Sequence, residues 1–138
     1  MAAGTQEPAH RHIVLIVEDG DDEREALALL LEVNGHRAVA VPNAVEALQV
    51  MLTLGLRPCV VVADLLLKGI DGLVLHEAMK RYPEIARIPT VALTGHEGMR
   101  RKAVGAGFAA ALLKPCAGDV LFETLDRCCK RALLARRA

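Results

Sequence analysis

Five polar residues of the sequence stand directly after short apolar runs. They are Glu18, Asp19, Asp64, Thr94 and Lys114. If the apolar runs are parallel strands, their carboxyl ends share one edge of a sheet, and this edge is where open α/β sheets collect ligands. We therefore expect three carboxylates, one hydroxyl and one ammonium to meet in a single shallow cleft.

The composition of this cleft favours a metal ion. Two carboxylates about 4 Å apart repel by roughly 4 kcal/mol at an effective dielectric constant of about 20, so three of them together need positive charge. Because the set contains oxygen ligands and neither His nor Cys, it suits Mg²⁺ better than Zn²⁺. A carboxylate can also attack phosphorus when a metal and a cation offset the phosphoryl charge, and Lys114 is placed to be that cation.

The elements that must position these residues alternate between strand and helix. The strands are predicted at 13–17, 37–41, 60–63, 90–93 and 110–113, and the first of them is a continuous β-branched apolar run, which is typical of a strand covered on both faces. The helices are predicted from Asp21 or Asp22 to Asn34, from Asn43 to about 54, from about 73 to 81, from 97 to 106 and from 119 to 136. Five such units in series require a doubly wound parallel sheet with right-handed crossovers.

Local signals indicate how the helices begin and which faces are buried. Asp21 and Asp22 offer a cap for the first helix, Asn43 with Glu46 a capping pair for the second, and Asp71 a cap for the third. The inward faces are predicted to hold Ala26, Leu27, Leu30 and Leu31 in the first helix, Val45, Leu48 and Leu52 in the second, and Leu121, Leu125, Cys128 and Ala132 in the last.

Length and composition indicate one intracellular domain. The 138 residues suffice for a single core, so we predict a flexible leader over 1–12 and one domain over 13–138. Equal numbers of acidic and basic residues give a formal net charge of zero, so no long-range field favours nucleic acid or membrane. The four cysteines show no metal spacing and are predicted to be buried thiols. No signal peptide or membrane span is apparent, so a soluble, cytoplasmic protein is expected.

Four motifs in order resemble those of CheY-like receiver domains of two-component response regulators. They are Val-Glu-Asp at 17–19, Asp-Leu-Leu-Leu-Lys-Gly-Ile-Asp-Gly-Leu at 64–73, Ile-Pro-Thr-Val-Ala-Leu-Thr-Gly at 88–95 and Leu-Leu-Lys-Pro at 112–115. The resemblance covers nearly the whole chain after the leader. It implies a flavodoxin-like sheet with strand order 2-1-3-4-5.

The resemblance also implies a role for each matching residue. Asp64 matches the phosphoacceptor, Thr94 the residue whose hydroxyl bonds the phosphoryl group, and Lys114 the lysine that pairs with it. The expected Mg²⁺ ligands are Glu18, Asp19, Asp64 and the backbone carbonyl of Leu66. Pro115 matches a proline that is commonly cis in the family.

The same resemblance implies the partners. A sensor histidine kinase or a phosphotransfer protein would supply the phosphoryl group. The output would be a downstream protein bound by the face of the fourth helix, fifth strand and fifth helix. The chain would be a phosphoacceptor and not an enzyme with turnover, acting alone or as part of a larger hybrid protein.

Four positions depart from the family pattern. Lys68 stands where proline is usual, and Ala111 where an aromatic residue often acts as a rotamer switch. Leu66 and His96 occupy the two positions that commonly tune the lifetime of the phosphoryl group. The departure at Ala111 concerns transmission of the signal and not phosphorylation.

Two other interpretations stay open at this point. Asp19 with Asp21 resembles the first motif of haloacid-dehalogenase phosphatases, although Glu23 breaks that motif and helix capping accounts for Asp21. A receiver-like interaction module that is never phosphorylated is the other alternative.

Overall fold

The computed structural model describes residues 13–66 and 71–137, and their side chains up to residue 130. Its five strands are β1 (Ile13–Val17), β2 (Arg37–Val41), β3 (Val60–Asp64), β4 (Thr90–Thr94) and β5 (Ala110–Leu113). Its five helices are α1 (Asp21–Val33), α2 (Ala44–Leu52), α3 (Gly72–Met79), α4 (Glu97–Ala106) and α5 (Gly118–Arg137). The predicted leader and Lys68 lie outside the described residues.

All neighbouring strands are parallel, in the order β2-β1-β3-β4-β5. This order confirms the predicted doubly wound, flavodoxin-like α/β fold. The register pairs Val17 of β1 with Ala63 of β3, so the next residues along each strand, Glu18 and Asp64, lie at the same level of the sheet. Thr94 pairs with Leu113, which places Lys114 one residue beyond the end of β4.

The sheet is buried on both faces because alternate residues of each strand point to opposite sides. On β1, Val14 and Ile16 pack with the apolar sides of α1 and α5, whereas Leu15 and Val17 pack with those of α2 and α3. A third, smaller cluster lies under α4 and consists of Leu65, Ala92, Ala103, Phe108 and Ala111. The core thus holds the strand ends rigidly on both sides.

Two of the three predicted helix caps are confirmed. The Asn43 side chain accepts a hydrogen bond from the Glu46 amide at 2.8 Å, and Asp71 accepts one from the Val74 amide at 2.9 Å. The predicted cap of α1 is wrong. The N-cap residue is Gly20. Asp21 and Asp22 belong to the first turn, where their negative charges interact favourably with the helix dipole but do not cap the helix.

The predicted buried faces of the first two helices are confirmed in part. In α1, Leu31 is buried with Leu27 and Ala28 packed beside it, whereas Ala26 and Leu30 are exposed. In α2 the predicted Leu48 and Leu52 pack half-buried against the core, but Val45 is exposed, and the buried residues are Ala44, Ala47 and Met51. In α5 the predicted Leu121, Leu125 and Cys128 are buried, and the side chain of Ala132 lies outside the described residues.

The cysteines follow the prediction at three positions of four. Cys59, Cys128 and Cys129 are buried, and Cys116 is half-exposed just beyond β5. All four belong to the described part of the chain, and none of them forms a disulfide.

Candidate functional site

Three of the predicted site residues meet at the carboxyl edge of the sheet. The Lys114 Nζ atom lies 2.8 Å from Asp64 Oδ2 and 3.4 Å from Glu18 Oε1. The side chains of Glu18 and Asp64 are only 7% and 14% exposed, so the lysine neutralises two carboxylates that are largely withdrawn from water. The peptide bond between Lys114 and Pro115 is cis, as the resemblance implies.

The two acidic side chains differ in their protonation tendency. Burial raises the pKa of Asp64, but the hydrogen bonds from Lys114 and from the Leu66 amide outweigh it and hold that pKa below its ordinary value. Burial also raises the pKa of Glu18, and there the Gly20 amide and Lys114 offset it incompletely, so the pKa stays raised. Asp64 is therefore the stronger acid of the two and is ionised at neutral pH.

Lys114 remains a cation in this setting. Burial works to lower the pKa of Lys114, but the hydrogen bond to Asp64 and the charges of Asp64, Glu18 and Glu23 raise it above its ordinary value. A fixed ammonium beside an ionised carboxylate is the arrangement that a negatively charged reacting group requires.

Thr94 lies beside this group at the end of β4. It is fully buried, its carbonyl accepts a hydrogen bond from the Lys114 amide at 2.8 Å, and its hydroxyl accepts one from the His96 amide at 3.2 Å. The backbone of β4 thus ties Thr94 to Lys114. His96 is exposed at the start of α4, and Leu66 is exposed beyond β3, so both positions adjoin the solvent side of the cleft.

The predicted metal ligands are brought together only in part. Glu18 and Asp64 adjoin through Lys114, Asp19 is half-buried next to Glu18, and Leu66 contacts Asp64 through its amide. Within residues 13–66 and 71–137, no group of three or more acidic, His or Cys side chains is gathered as for a metal ion. The donor chemistry still fits Mg²⁺, because two carboxylates with hard oxygens share a single ammonium and retain excess negative charge.

Two residues of α1 belong to the site although the sequence patterns assign them no role there. Arg24 donates to the Glu18 carbonyl at 3.0 Å and to Asp21 Oδ1 at 2.6 Å, which ties the first turn of α1 to the end of β1. Glu23 places Oε2 at 3.6 Å from Lys114 Nζ. The sequence signal for both residues was their position in the first turn of the helix that directly follows Glu18, since such a turn lies beside the end of the strand.

A groove of about 290 Å³ leads away from the cleft. Its polar end is formed by Glu18, Glu23 and Lys114, and the remainder is mainly apolar. The apolar lining consists of Ala26, Leu27, Leu30, Leu93, Cys116 and Leu121. The exposed apolar residues of α1 therefore continue the wall of the acidic site.

Ala111 stands where many receiver domains have an aromatic switch residue, and it lies in a different kind of environment. Ala111 is buried in the small cluster under α4, together with Phe108, whose ring stacks on His76 with the centroids 4.3 Å apart. His76 Nε2 lies 3.0 Å from the Ala106 carbonyl, and Nδ1 lies 2.7 Å from Thr90 Oγ1. Because a carbonyl only accepts, Nε2 carries the hydrogen and Nδ1 accepts from the Thr90 hydroxyl.

This buried histidine predicts a loss of stability in mild acid. Burial, together with the charge of Lys80, lowers the pKa of His76 below the ordinary value of about 6.5 despite its bond to Ala106. The unfolded chain therefore binds the proton more readily. The stabilising contribution is complete above about pH 6.5 and is lost as the pH falls from there toward the folded-state pKa, by at most about 1.4 kcal/mol per pH unit.

Chemical denaturation between pH 7 and pH 5 measures this effect. We expect His76→Gln to be less stable at pH 7 and to lose less stability than the wild type on acidification. The matched control is His96→Gln, at an exposed position, which should keep the wild-type slope. Parallel slopes in the wild type and His76→Gln would contradict the assignment.

The comparisons with known proteins agree with this fold. The family described as response regulator receiver domain matches residues 14–126. The chain belongs to this receiver family.

Individual relatives support the assignment. The chain is 33% identical to the response regulator protein FleR of Pseudomonas aeruginosa over 117 residues, which are 83% of this chain and 24% of FleR. It is 32% identical to an uncharacterised 14.6 kDa protein of Leptolyngbya boryana, over 84% of this chain and 88% of that protein. The chain thus spans nearly all of one relative and about a quarter to a half of several larger regulators.

Solved structures show the same architecture. The receiver domain of a signal transduction histidine kinase from Syntrophus aciditrophicus superposes with a TM-score of 0.77 at 30% identity, covering 86% of this chain and 90% of that chain. The chemotaxis protein CheY4 of Vibrio cholerae superposes with a TM-score of 0.76, covering 85% and 98%, and at 22% identity it shows the fold alone. Among the described helices, none is both long and apolar enough to cross a membrane.

Proposed function

We propose that Asp64 is the phosphoacceptor of this receiver domain and that Glu18, Asp19, Thr94 and Lys114 serve its phosphorylation. The observation that supports this most directly is the 2.8 Å contact between Asp64 and Lys114, which leaves Asp64 ionised and beside a fixed positive charge. The donor is a phosphohistidine on a sensor kinase or a phosphotransfer protein, and the protein acts in the cytoplasm.

The transfer is a single displacement at phosphorus. A carboxylate oxygen of Asp64 forms the new bond to phosphorus while the bond from phosphorus to the donor imidazole nitrogen breaks, and the electron pair leaves with the imidazole. Lys114 offsets the charge on the phosphoryl oxygens. The hydroxyl of Thr94 then donates to a phosphoryl oxygen in place of its resting contacts.

Mg²⁺ is the proposed cofactor. The residues that would hold it are Glu18, Asp19, Asp64 and the carbonyl of Leu66. When bound, Mg²⁺ supplies the positive charge that the two buried carboxylates lack and shares the phosphoryl charge with Lys114.

The output is a change of binding at the surface made by α4, β5 and α5. This surface carries the exposed apolar residues Val104, Leu113 and Val120 and the exposed cation Arg101. Withdrawal of Thr94 moves the segment that holds His96 and the start of α4, because the His96 amide bonds the Thr94 hydroxyl. Phosphorylation thus favours binding of one downstream protein and involves neither nucleic acid nor membrane.

Intact mass spectrometry tests the proposed function. The purified chain is incubated with acetyl phosphate and Mg²⁺, and we expect one added phosphoryl group. The group should map to the peptide that holds Asp64, be removed by hydroxylamine as acyl phosphates are, and be lost when EDTA replaces Mg²⁺.

The other two interpretations give different results in the same experiment. A phosphatase that uses Asp19 would carry any label on Asp19 and would turn over a phosphate ester. A module that is never phosphorylated would take no label under any of these conditions. Either result would overturn the assignment of Asp64.

A further inference from the structure

Glu23 contacts the same lysine as the proposed phosphoacceptor. It lies on the first turn of α1, and its Oε2 atom is 3.6 Å from Lys114 Nζ, whereas Asp64 and Glu18 hold the lysine at 2.8 Å and 3.4 Å. The Glu23 side chain is 66% exposed, while those of Glu18 and Asp64 are nearly enclosed. Glu23 is therefore the outermost of the three carboxylates around Lys114.

The position of Glu23 depends on a bare backbone beside it. A β-carbon built on Gly20 would lie 2.8 Å from Glu23 Oε1 and 3.4 Å from Glu18 Oε2. The backbone of Gly20 has a φ of −79°, which any residue adopts, so the glycine is not required for its conformation. What the absence of a side chain provides is the space in which the Glu23 carboxylate lies.

We infer that Glu23 is a specificity-determining residue of the cleft, whose charge on the solvent side of Lys114 disfavours small, free, anionic phosphodonors. The inference rests on the proposed function, since it concerns access to Asp64. Glu23 forms and breaks no bond in the transfer. Its carboxylate partly neutralises the positive charge of Lys114 and repels anions that approach the cleft from solvent.

The size of the effect follows from its exposed position. A donor phosphoryl group that reaches Lys114 passes within several ångströms of Glu23, in a region where water screens strongly. Removing one such charge should change association of a dianion by about threefold to tenfold at low ionic strength. A less negatively charged donor should respond less, and added salt should reduce both responses.

The reaction with acetyl phosphate provides the measurement. In that reaction an Asp64 oxygen bonds to phosphorus, the bond from phosphorus to the acyl oxygen breaks, and the electron pair leaves on acetate. The rate constant per donor concentration is measured at saturating Mg²⁺ with acetyl phosphate and with phosphoramidate. We expect Glu23→Gln to raise it about threefold to tenfold for acetyl phosphate and less for phosphoramidate.

Two further variants separate charge from contact. The matched control is Glu25→Gln, which removes the same charge from an exposed position of the same helix and should leave both rates near the wild type. Gly20→Ala keeps every charge but displaces the flexible end of Glu23 from its place, so it should give a smaller increase than Glu23→Gln. An unchanged or reduced rate in Glu23→Gln, or an equal gain in Glu25→Gln, would overturn the inference.

A second measurement does not depend on phosphorylation. Binding of Mg²⁺ alone, followed by titration calorimetry, should weaken about twofold to threefold in Glu23→Gln and stay unchanged in Glu25→Gln. If no variant, the wild type included, takes a phosphoryl label, the proposed function fails, and this titration tests separately whether the charge of Glu23 acts on the cleft. Equal Mg²⁺ affinities in the wild type and Glu23→Gln would then count against a charge of Glu23 acting in the cleft.

Discussion

Replacing Asp64 by asparagine should abolish the phosphoryl label of the receiver domain. The amide keeps the size of the side chain, and its single oxygen can accept one of the two hydrogen bonds that the carboxylate accepts from Lys114 and from the Leu66 amide, but it is not a nucleophile. We expect no mass increase in Asp64→Asn under conditions that label the wild type completely. Intact mass after incubation with acetyl phosphate and Mg²⁺ gives the result directly.

The chain offers a matched control for this substitution. Asp71 caps α3 through a 2.9 Å bond to the Val74 amide and lies outside the cleft. Asparagine caps helices about as well as aspartate, so Asp71→Asn should fold and accept the label. A label that persists in Asp64→Asn would show that Asp64 is not the acceptor, and a label that disappears equally in Asp71→Asn would show that its loss in Asp64→Asn is not specific to the acceptor.

The asparagine variant should also change the response to acid. Because the pKa of Asp64 is lowered in the folded chain, ionised Asp64 contributes stability that is complete above its ordinary pKa and is lost as the pH falls through the folded-state pKa. Asp64→Asn lacks this contribution. Its denaturation midpoint should therefore fall less steeply than that of the wild type below about pH 4.

Replacing Lys114 by methionine should produce the second large effect. Loss of the ammonium removes the charge that faces the phosphoryl oxygens, and removal of one such preorganised group slows comparable reactions by about 10²-fold to 10³-fold. We expect a decrease of this order in the rate of labelling by acetyl phosphate. Lys102→Met, at an exposed position of α4, removes the same charge and should label at nearly the wild-type rate.

The same variant should be destabilised at neutral pH. Without Lys114, Glu18 and Asp64 keep their burial and their mutual repulsion but lose their common cation. Breaking a fully buried pair costs about 3–5 kcal/mol, and because Lys114 itself is 31% exposed we expect about 1–3 kcal/mol here. Denaturation at pH 7 measures the loss, and the double variant with Glu18→Gln should recover part of it. A Lys114→Met protein as stable and as rapidly labelled as the wild type would contradict the role of Lys114.

The arrangement of the strands and the residues at their ends could be predicted from the sequence. Continuous apolar runs such as Ile13–Val17 identify strands buried on both faces, and their parallel order brings the residues beyond their carboxyl ends to one edge. Caps that depend on two nearby residues, such as Asn43 with Glu46, were also predictable because the interaction is local. The four motifs are also short segments that can be read from the sequence directly, so they indicated the receiver family without the structure.

Interactions across the sheet depend on the tertiary structure. Whether Leu30 of α1 is buried depends on how that helix is rotated about its axis. The spacing of apolar residues in α1 is equally consistent with Leu30 facing the core or facing the groove beside α5. His76 is seen as a link to Thr90 and Ala106 only when α3 and the end of α4 are brought together. Distances between residues far apart in the chain leave no mark on local sequence patterns.

The order of residues along the chain was enough to identify the groups of the acidic cleft, since Asp64, Glu18 and Lys114 stand at the ends of recognisable strands. How these groups share charge became visible only in the folded chain. Folding put one ammonium between two enclosed carboxylates, lowered the pKa of Asp64 while raising that of Glu18, and added Glu23 from α1 as a third partner. The cause is that pKa and access depend on burial and on the separation of charges in space, which the register and the helix rotation set together.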